Sequence, residues 1–208
     1  MQWGEQLQWR HEVHKRYPEI WDLRVVRKRL PFLLAQMKDG EAVLEIGAFD
    51  RRLGERLQRF YPRVRYKSLD IDTTYPHDYS SIEEVRETFD VILLFEVIEH
   101  LHLEEGRKMV GAIHPLLNPG GRLILSTPNL YAPGQYWKDA THLTPYHHEE
   151  LGGLLLSQRF EIIEMCRAFH ESWVTFWTKA YLFFPLFKLL GIDFAKSIFV
   201  VARKAETG

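Results

Sequence analysis

The chain has 208 residues, 46% of them hydrophobic and 26% charged, which excludes disordered and collagen-like classes and suits one soluble core. Its 27 basic and 28 acidic side chains leave a formal charge of -1, so no global field marks a nucleic-acid binder, and no nucleic-acid partner is expected. A single cysteine, Cys166, excludes an internal disulfide and a cysteine-based zinc site.

Met1 to Arg16 is polar and lacks the apolar core of a signal peptide, so a cytoplasmic protein is expected. Leu23, Val26, Leu30, Leu33 and Leu34 stand at helical spacing, with breaks at Pro18 and Pro31, and predict two N-terminal helices within 1–40. Ala42 to Gly47 is a short apolar run ending in glycine, the pattern of a buried parallel strand. Asp50 to Tyr61 places Leu53, Leu57, Phe60 and Tyr61 among charges, which predicts an amphipathic helix. Val64 to Leu69 returns as a strand and ends at Asp70-Ile71-Asp72, completing a compact βαβ unit with a right-handed crossover. The basic residues Arg51, Arg52, Arg56, Arg59, Arg63, Arg65 and Lys67 crowd this stretch and read as a solvated helix face or as a surface for an anionic acceptor.

Ser81-Ile82-Glu83-Glu84 has the form of a capping box and predicts a short helix before Phe89 to Phe95, an almost wholly apolar and therefore central strand. Glu104 to Leu117 reads as a helix, Asn118-Pro119-Gly120-Gly121 as a turn, and Arg122 to Thr127 as the next strand. Thr144-Pro145 offers an N-cap and a first-turn proline, so His147 to Ser157 should be helical, with His147 and His148 facing solvent or capping the helix. Phe160 to Cys166 and Ile198 to Arg203 are the last strand candidates. The alternation predicts a Rossmann-like, doubly wound α/β sheet in one domain over 1–208: helices in 1–40, core sheet in 41–167, an insertion in 168–196 and the last strand in 197–204.

The insertion contains Trp173 to Ile192, long enough to cross a bilayer and rich in Trp, Phe and Tyr. Lys179, Lys188 and Pro185 interrupt it, and the chain must return at once to the sheet, so a broken helical flap is expected. Such a flap serves as core, as a dimer interface over 171–196, as a lid over an apolar acceptor, or as a membrane-surface contact near a lipid-linked acceptor.

In open α/β sheets ligands bind where strand order reverses, beyond the carboxyl ends of the strands. A carboxylate follows each strand that reaches this point: Glu45-Ile46-Gly47-Ala48-Phe49-Asp50, Leu69-Asp70-Ile71-Asp72 and Phe95-Glu96-Val97-Ile98-Glu99-His100. Asp70, closing the second strand, has the position to accept both ribose hydroxyls of an adenosine cofactor; Gly47 lets backbone approach the ligand, and Glu45 faces its charged end. Taken singly, Gly47 is equally a turn residue and Asp70 a loop cap. If a helix starts at Glu96, then Glu96, Glu99 and His100 share one face and form a candidate divalent-metal cluster for magnesium, manganese or zinc; a hydrogen-bond cluster at a helix start reads the same way.

Together these segments resemble class I S-adenosylmethionine-dependent methyltransferases, especially the small subgroup that includes ubiquinone-pathway O-methyltransferases, from about Glu41 to Phe160. The resemblance rests on Val43-Leu44-Glu45-Ile46-Gly47, Asp70, Phe89 to Phe95, Glu96-Val97-Ile98-Glu99-His100-Leu101 and Pro119-Gly120-Gly121-Arg122-Leu123. It implies S-adenosyl-L-methionine as cofactor and a strand order 3-2-1-4-5-7-6 with strand seven antiparallel, the third strand falling near Thr74 to Tyr79. It further implies that Glu45, Gly47, Ala48, Phe49, Asp70, Ile71, Asp78, Phe95 and Glu96 surround the cofactor, with Tyr79 and Ser80 beside Asp78 near the adenine. The metal cluster is similar to that of small-RNA 2'-O-methyltransferases, a resemblance that implies His142 as the ligand completing the site with Glu96, Glu99 and His100. Phe49 and Arg51 stand where the family usually carries glycine.

Methyl transfer is an in-line displacement that asks the protein to align an acceptor and remove its proton. His142, in a loop following the fifth strand, is the candidate base and His100 the second; a loop-ordering histidine is the plain alternative. The expected function is methyl transfer to oxygen or nitrogen of a small-molecule or lipid-/sugar-linked acceptor. The competing readings are a non-catalytic scaffold of the same fold, motivated by Phe49, and a nicotinamide dehydrogenase, which Phe49 and Arg52 oppose by interrupting Gly-x-Gly-x-x-Gly.

Overall fold

The apolar runs become the middle of one seven-stranded sheet in a computed structural model that describes residues 3–205. Residues 1–2 and 206–208, the ends of the domain expected over 1–208, lie outside the described residues. Strands β1 (Arg24–Val26), β2 (Ala42–Ile46), β3 (Arg65–Leu69), β4 (Phe89–Phe95), β5 (Leu117–Pro128), β6 (Phe160–Ala168) and β7 (Ser197–Lys204) lie in the order β1-β6-β7-β5-β4-β2-β3. β7 is antiparallel to β5 and β6, and the other pairs are parallel.

Alternate residues of the central strands feed two cores, as the two-residue period requires. Leu44, Ile46, Ile92, Leu94, Leu123 and Leu125 face one side, where Val13, Val110, Ile113 and Leu151 come from α1 (Trp3–Arg16), α4 (Leu103–Leu116) and α5 (His148–Ser157). Val43, Val91, Leu93 and Ile124 face the other, against Phe32 and Leu33 of α2 (Arg29–Ala35) and Leu53 and Leu57 of α3 (Arg52–Phe60). The doubly wound sheet with an antiparallel last strand is as expected.

Its edges differ in detail. The segment Thr74 to Tyr79 forms no strand: Asp72 accepts from the Thr74 amide in a tight turn, Pro76 follows, and a single bridge joins Leu69 to Tyr79. The seventh strand is β1, whose consecutive valines favour extended backbone, paired beside β6. The helix expected over His147 to Ser157 runs over His148–Ser157, with His147 and not Thr144 at its N-cap: Thr144 Oγ1 donates to Leu101 O at 2.6 Å. His148 is fully buried rather than solvent-facing and bonds Tyr17 O at 3.0 Å. The capping-box segment gives only a short 3-10 turn, Ile82–Glu84.

The insertion is the broken flap that its sequence predicts: α6 (Trp173–Trp177), a π-helical turn over Thr178–Leu182, and α7 (Phe184–Leu189). Among the described residues no helix is long and apolar enough to cross a membrane. Phe176 and Ala180 pack inward on Phe169 and Ala195, whereas Trp173, Val174 and Leu189 are exposed. An almost fully buried ion pair fastens the return to the sheet: Arg167 Nη1 lies 3.1 Å from Asp193 Oδ1, Asn129 Nδ2 donates to Asp193 Oδ2 at 2.8 Å, and the guanidinium lies under Trp21.

Removing one member of a buried pair strands the other charge. Asp193→Ala is therefore expected to lower the free energy of unfolding by about 3–5 kcal/mol in urea denaturation; a loss below about 1 kcal/mol would mean that Arg167 finds another partner.

Candidate active site

The loops after β2, β3 and β4 converge at Gly47. Its φ of +75° is a left-handed conformation open to glycine, and a Cβ there would lie 2.3 Å from Val97 Cγ2. The amides of Gly47 and buried Ala48 both donate to Leu69 O, at 2.9 and 3.3 Å. Phe49 also adopts a left-handed φ, +43°, which costs a non-glycine residue about 1–2 kcal/mol. Its amide donates to Asp70 Oδ2 at 2.7 Å, and its ring, 57% exposed, meets Tyr75 edge-on at 5.4 Å. The ring that replaces the family's glycine thus stands at the rim of the crevice. Arg51 caps α3 with φ +60° and reaches Pro76 O and Asp78 Oδ2.

Asp70 holds two loops at once, taking the Phe49 amide on Oδ2 and the Asp72 amide on Oδ1 at 2.9 Å. An ionised carboxylate has about four acceptor positions, so about two remain open. Ile71 beside it is 86% exposed. Asp78 accepts from the Ser68 amide at 2.9 Å and from Arg51, which makes it a loop anchor as well. Asp70, Asp78, Tyr79 and Ser80 line one depression of about 380 Å³.

Glu45 is 6% exposed near the end of β2, and Tyr66 Oη donates to its Oε2 at 2.5 Å. Burial pushes the Glu45 carboxyl up to about 7 despite that bond and the nearby Arg29 charge. Gly54 makes the bond feasible, because a Cβ at this helix position would come within 2.3 Å of the Tyr66 ring. Arg29, which the sequence reading passed over, extends from the start of α2 above Phe95, with its Cζ 5.2 Å from the ring centroid. Phe95 itself is buried against Phe199 beneath that guanidinium. Only the sheet topology brings Arg29 there, so no local signal in the sequence marks it.

Beyond β4 the structure corrects the expected helix. Glu96 has φ +53°, and the chain continues into a single 3-10 turn, Ile98–His100. Glu96 is tied to β5 through Ser126, whose Oγ donates to Oε1 at 2.7 Å, and it does not join the metal-type cluster. Glu99, His100 and His142 do converge, each with a ligand atom within 4.8 Å of the others. Glu99 is fully buried, Thr127 Oγ1 donates to its Oε2 at 3.3 Å, and Oε1 has no hydrogen-bond partner among the described residues. Burial, and then the charge of Glu96, push its carboxyl up to about 8.

The hydrogen-bond network assigns both imidazoles the same tautomer. His142 Nδ1 donates to Tyr136 O at 2.6 Å, leaving its Nε2 lone pair 4.0 Å from Glu99 Oε1. Thr141 gives its hydroxyl proton to Asp139, so His100 Nδ1 donates to Thr141 Oγ1 at 2.9 Å and Nε2 again keeps the lone pair. The Glu99 carbonyl accepts the Leu143 and Thr144 amides, which hold the His142 loop over the turn.

Residues 11–166 match the sequence family described as a methyltransferase domain, and the chain belongs to that family. Its sheet, with β7 antiparallel, has the class I S-adenosylmethionine-dependent methyltransferase fold. A probable S-adenosylmethionine-dependent methyltransferase of Mycolicibacterium smegmatis is 35% identical over 90 residues, 40% of this chain and 33% of that protein, so the match spans about a third of the relative's length. An S-adenosylmethionine-dependent methyltransferase from Archaeoglobus fulgidus superposes with a TM-score of 0.62 at 17% identity, over 85% of this chain and 91% of that one. N-methyltransferase NodS from Bradyrhizobium japonicum, solved with S-adenosyl-L-homocysteine, gives 0.54 at 17% identity, over 83% and 82%. At these identities the structural likenesses establish the fold.

In a solvent-exposed helix Gly→Ala gains about 1 kcal/mol. At Gly54 the clash with Tyr66 reverses the sign: Gly54→Ala should destabilise the protein by about 1–3 kcal/mol in chemical denaturation. A stabilised variant would show that Tyr66 need not lie where it meets Glu45.

Proposed function

We propose that this chain transfers a methyl group from S-adenosylmethionine to an oxygen or nitrogen of a small acceptor, lipid- and sugar-linked acceptors included. The observation that carries the reading is Asp70: an acidic group at the tip of β3, fastened by two backbone amides and retaining acceptor positions for a ribose diol. The surroundings fit the cofactor. Exposed Ile71 and the Phe49 rim offer apolar cover for a base, and Glu45, bonded by Tyr66 through Oε2, offers Oε1 to an ammonium group. When bound, S-adenosylmethionine supplies an electrophilic methyl group on a sulfonium. Asp70 and Glu45 hold the two ends of the cofactor, the converging loops orient it, and His142, with His100 beside it, accepts the acceptor's proton on Nε2.

Calorimetry with S-adenosylhomocysteine tests the reading. Wild-type protein should bind with a micromolar Kd, and Asp70→Ala should weaken binding at least about tenfold, the value of one charge-assisted hydrogen bond. Unchanged affinity in the variant removes Asp70 from the ribose. Binding of NADH in place of S-adenosylhomocysteine supports the dehydrogenase, and binding of neither supports the scaffold.

Glu45 adds a pH signature. Its carboxyl is largely protonated below about 7 and must ionise to meet a cation, so cofactor binding releases a proton there. Affinity should rise as pH goes from about 6 to about 7, by up to about tenfold, and level off above that. Glu45→Gln should flatten the profile; a flat wild-type profile would exclude Glu45 from the ammonium end.

Glu99 Oε1, which has no hydrogen-bond partner among the described residues and lies 4.0 Å from His142 Nε2 with His100 close by, favours a second reading of the histidines. In it Glu99, His100 and His142 hold a divalent ion that orients the acceptor, a two-histidine, one-carboxylate set suited to zinc, iron or manganese. Chelation separates the two. Loss of turnover with intact S-adenosylhomocysteine affinity, restored by added metal, identifies an ion site; turnover indifferent to chelator keeps His142 as the base.

A further inference from the structure

A second depression, of about 420 Å³, opens between the start of α2, the face of α3 and the residue that follows β6 by two positions. Lys28, Arg29, Arg56 and His170 line it with Leu53, and no acidic side chain does. None of the three permanent cations has an ion-pair partner among the described residues. Arg51, Arg63 and Arg122 each meet a carboxylate. Three cations without a direct ion pair around one concavity repel one another, and the arrangement gains energy when an anion enters.

The depression also adjoins the reaction crevice. Arg29 lies over Phe95, the last residue of β4, and its charge acts on both Glu45 and Glu96. Neither carboxyl pairs with it directly: Tyr66 holds Glu45 and Ser126 holds Glu96. His170 is held at a left-handed φ of +59° by its amide bond to Arg27 O, a strained conformation of the kind that accumulates at functional sites. Desolvation, and then the charges of Arg29 and Lys196, lower the basicity of this surface imidazole, which donates a hydrogen bond in either protonation state.

We infer that Lys28, Arg29, Arg56 and His170 form the anion subsite of the acceptor, and that the acceptor carries a phosphate or pyrophosphate group. Arginine forks match phosphate oxygens bidentately, and lysine adds a point charge. The inference deepens the methyltransferase reading and rests on it, because the subsite matters to catalysis only if the neighbouring crevice holds the methyl donor. The phosphate belongs either to a soluble metabolite or to a lipid carrier; the exposed Trp173 and Val174, just beyond His170, would then lie along the carrier's chain.

Calorimetric titration of the full chain with inorganic pyrophosphate and with octyl phosphate below its micelle concentration tests the subsite, alongside S-adenosylhomocysteine on the same sample. Wild-type protein should bind pyrophosphate, and Arg29→Gln combined with Arg56→Gln should weaken it at least about tenfold. Arg59→Gln combined with Arg65→Gln removes the same charge outside the depression and should change the affinity less than about threefold. Tighter binding of octyl phosphate assigns a lipid carrier, and equal or weaker binding a soluble acceptor. The subsite is refuted if wild-type protein binds S-adenosylhomocysteine but neither phosphate, or if the control pair loses as much as the pocket pair. Failure to bind S-adenosylhomocysteine while phosphate binds refutes the donor site instead.

Discussion

The hydrogen bond from the Phe49 amide to Asp70 ties the loop after β2 to the tip of β3, and the rest of the site is arranged around that tie. With Gly47 and Ala48 bonded to Leu69 O, it fixes two diverging loops at one separation, so that the crevice between them has a defined width. The same carboxylate takes the Asp72 amide and thereby sets the conformation of the loop that carries Ile71. A group that bridges two loops in this way is held without spending all of its acceptor capacity, which is the condition for binding a diol rigidly.

Charge is partitioned across the crevice. Glu45, Glu96 and Glu99 are drawn in from the ends of β2 and β4, where burial raises their carboxyls above the ordinary carboxylate range. Arg29, Lys28 and Arg56 line the neighbouring depression with no ion-pair partner among the described residues. Burying acids is unfavourable unless something compensates, and here compensation is only partial: a tyrosine for Glu45, serines for Glu96, a threonine for Glu99. Groups left in that state favour cationic ligands inside and anionic ligands at the rim. Of the left-handed non-glycine backbones, Phe49, Arg51, Glu96 and His170 follow the carboxyl ends of β2, β4 and β6, where such strain accompanies functional loops, and Arg159 lies before β6.

Most of the architecture was legible because it rests on local patterns. The buried runs Ala42 to Ile46 and Phe89 to Phe95, the alternation of strands with helices, and the acid that ends β3 are all visible within short windows. What escaped depends on contacts distant in sequence. Leu23 and Val26 have helical spacing with Leu30, Leu33 and Leu34, yet the open edge of β6 draws Arg24–Val26 into a strand. Glu96 has helical spacing with Glu99 and His100, but its backbone turns left-handed to bond Ser126, which removes it from the metal-type cluster. Arg29 and His170 carry no motif and meet only because α2 and the end of β6 are brought to one side of β4. Phe49, the largest departure from the family pattern, could be judged only once its ring was seen beside Tyr75 at the rim.

The most direct test of the central claim is a crystal structure of the chain grown with S-adenosylhomocysteine. The account predicts both ribose hydroxyls within hydrogen-bond distance of Asp70, with the Phe49–Asp70 bond intact and the amino group beside Glu45. A nucleoside bound elsewhere, or an Asp70 carboxylate turned away from the ribose, would contradict it.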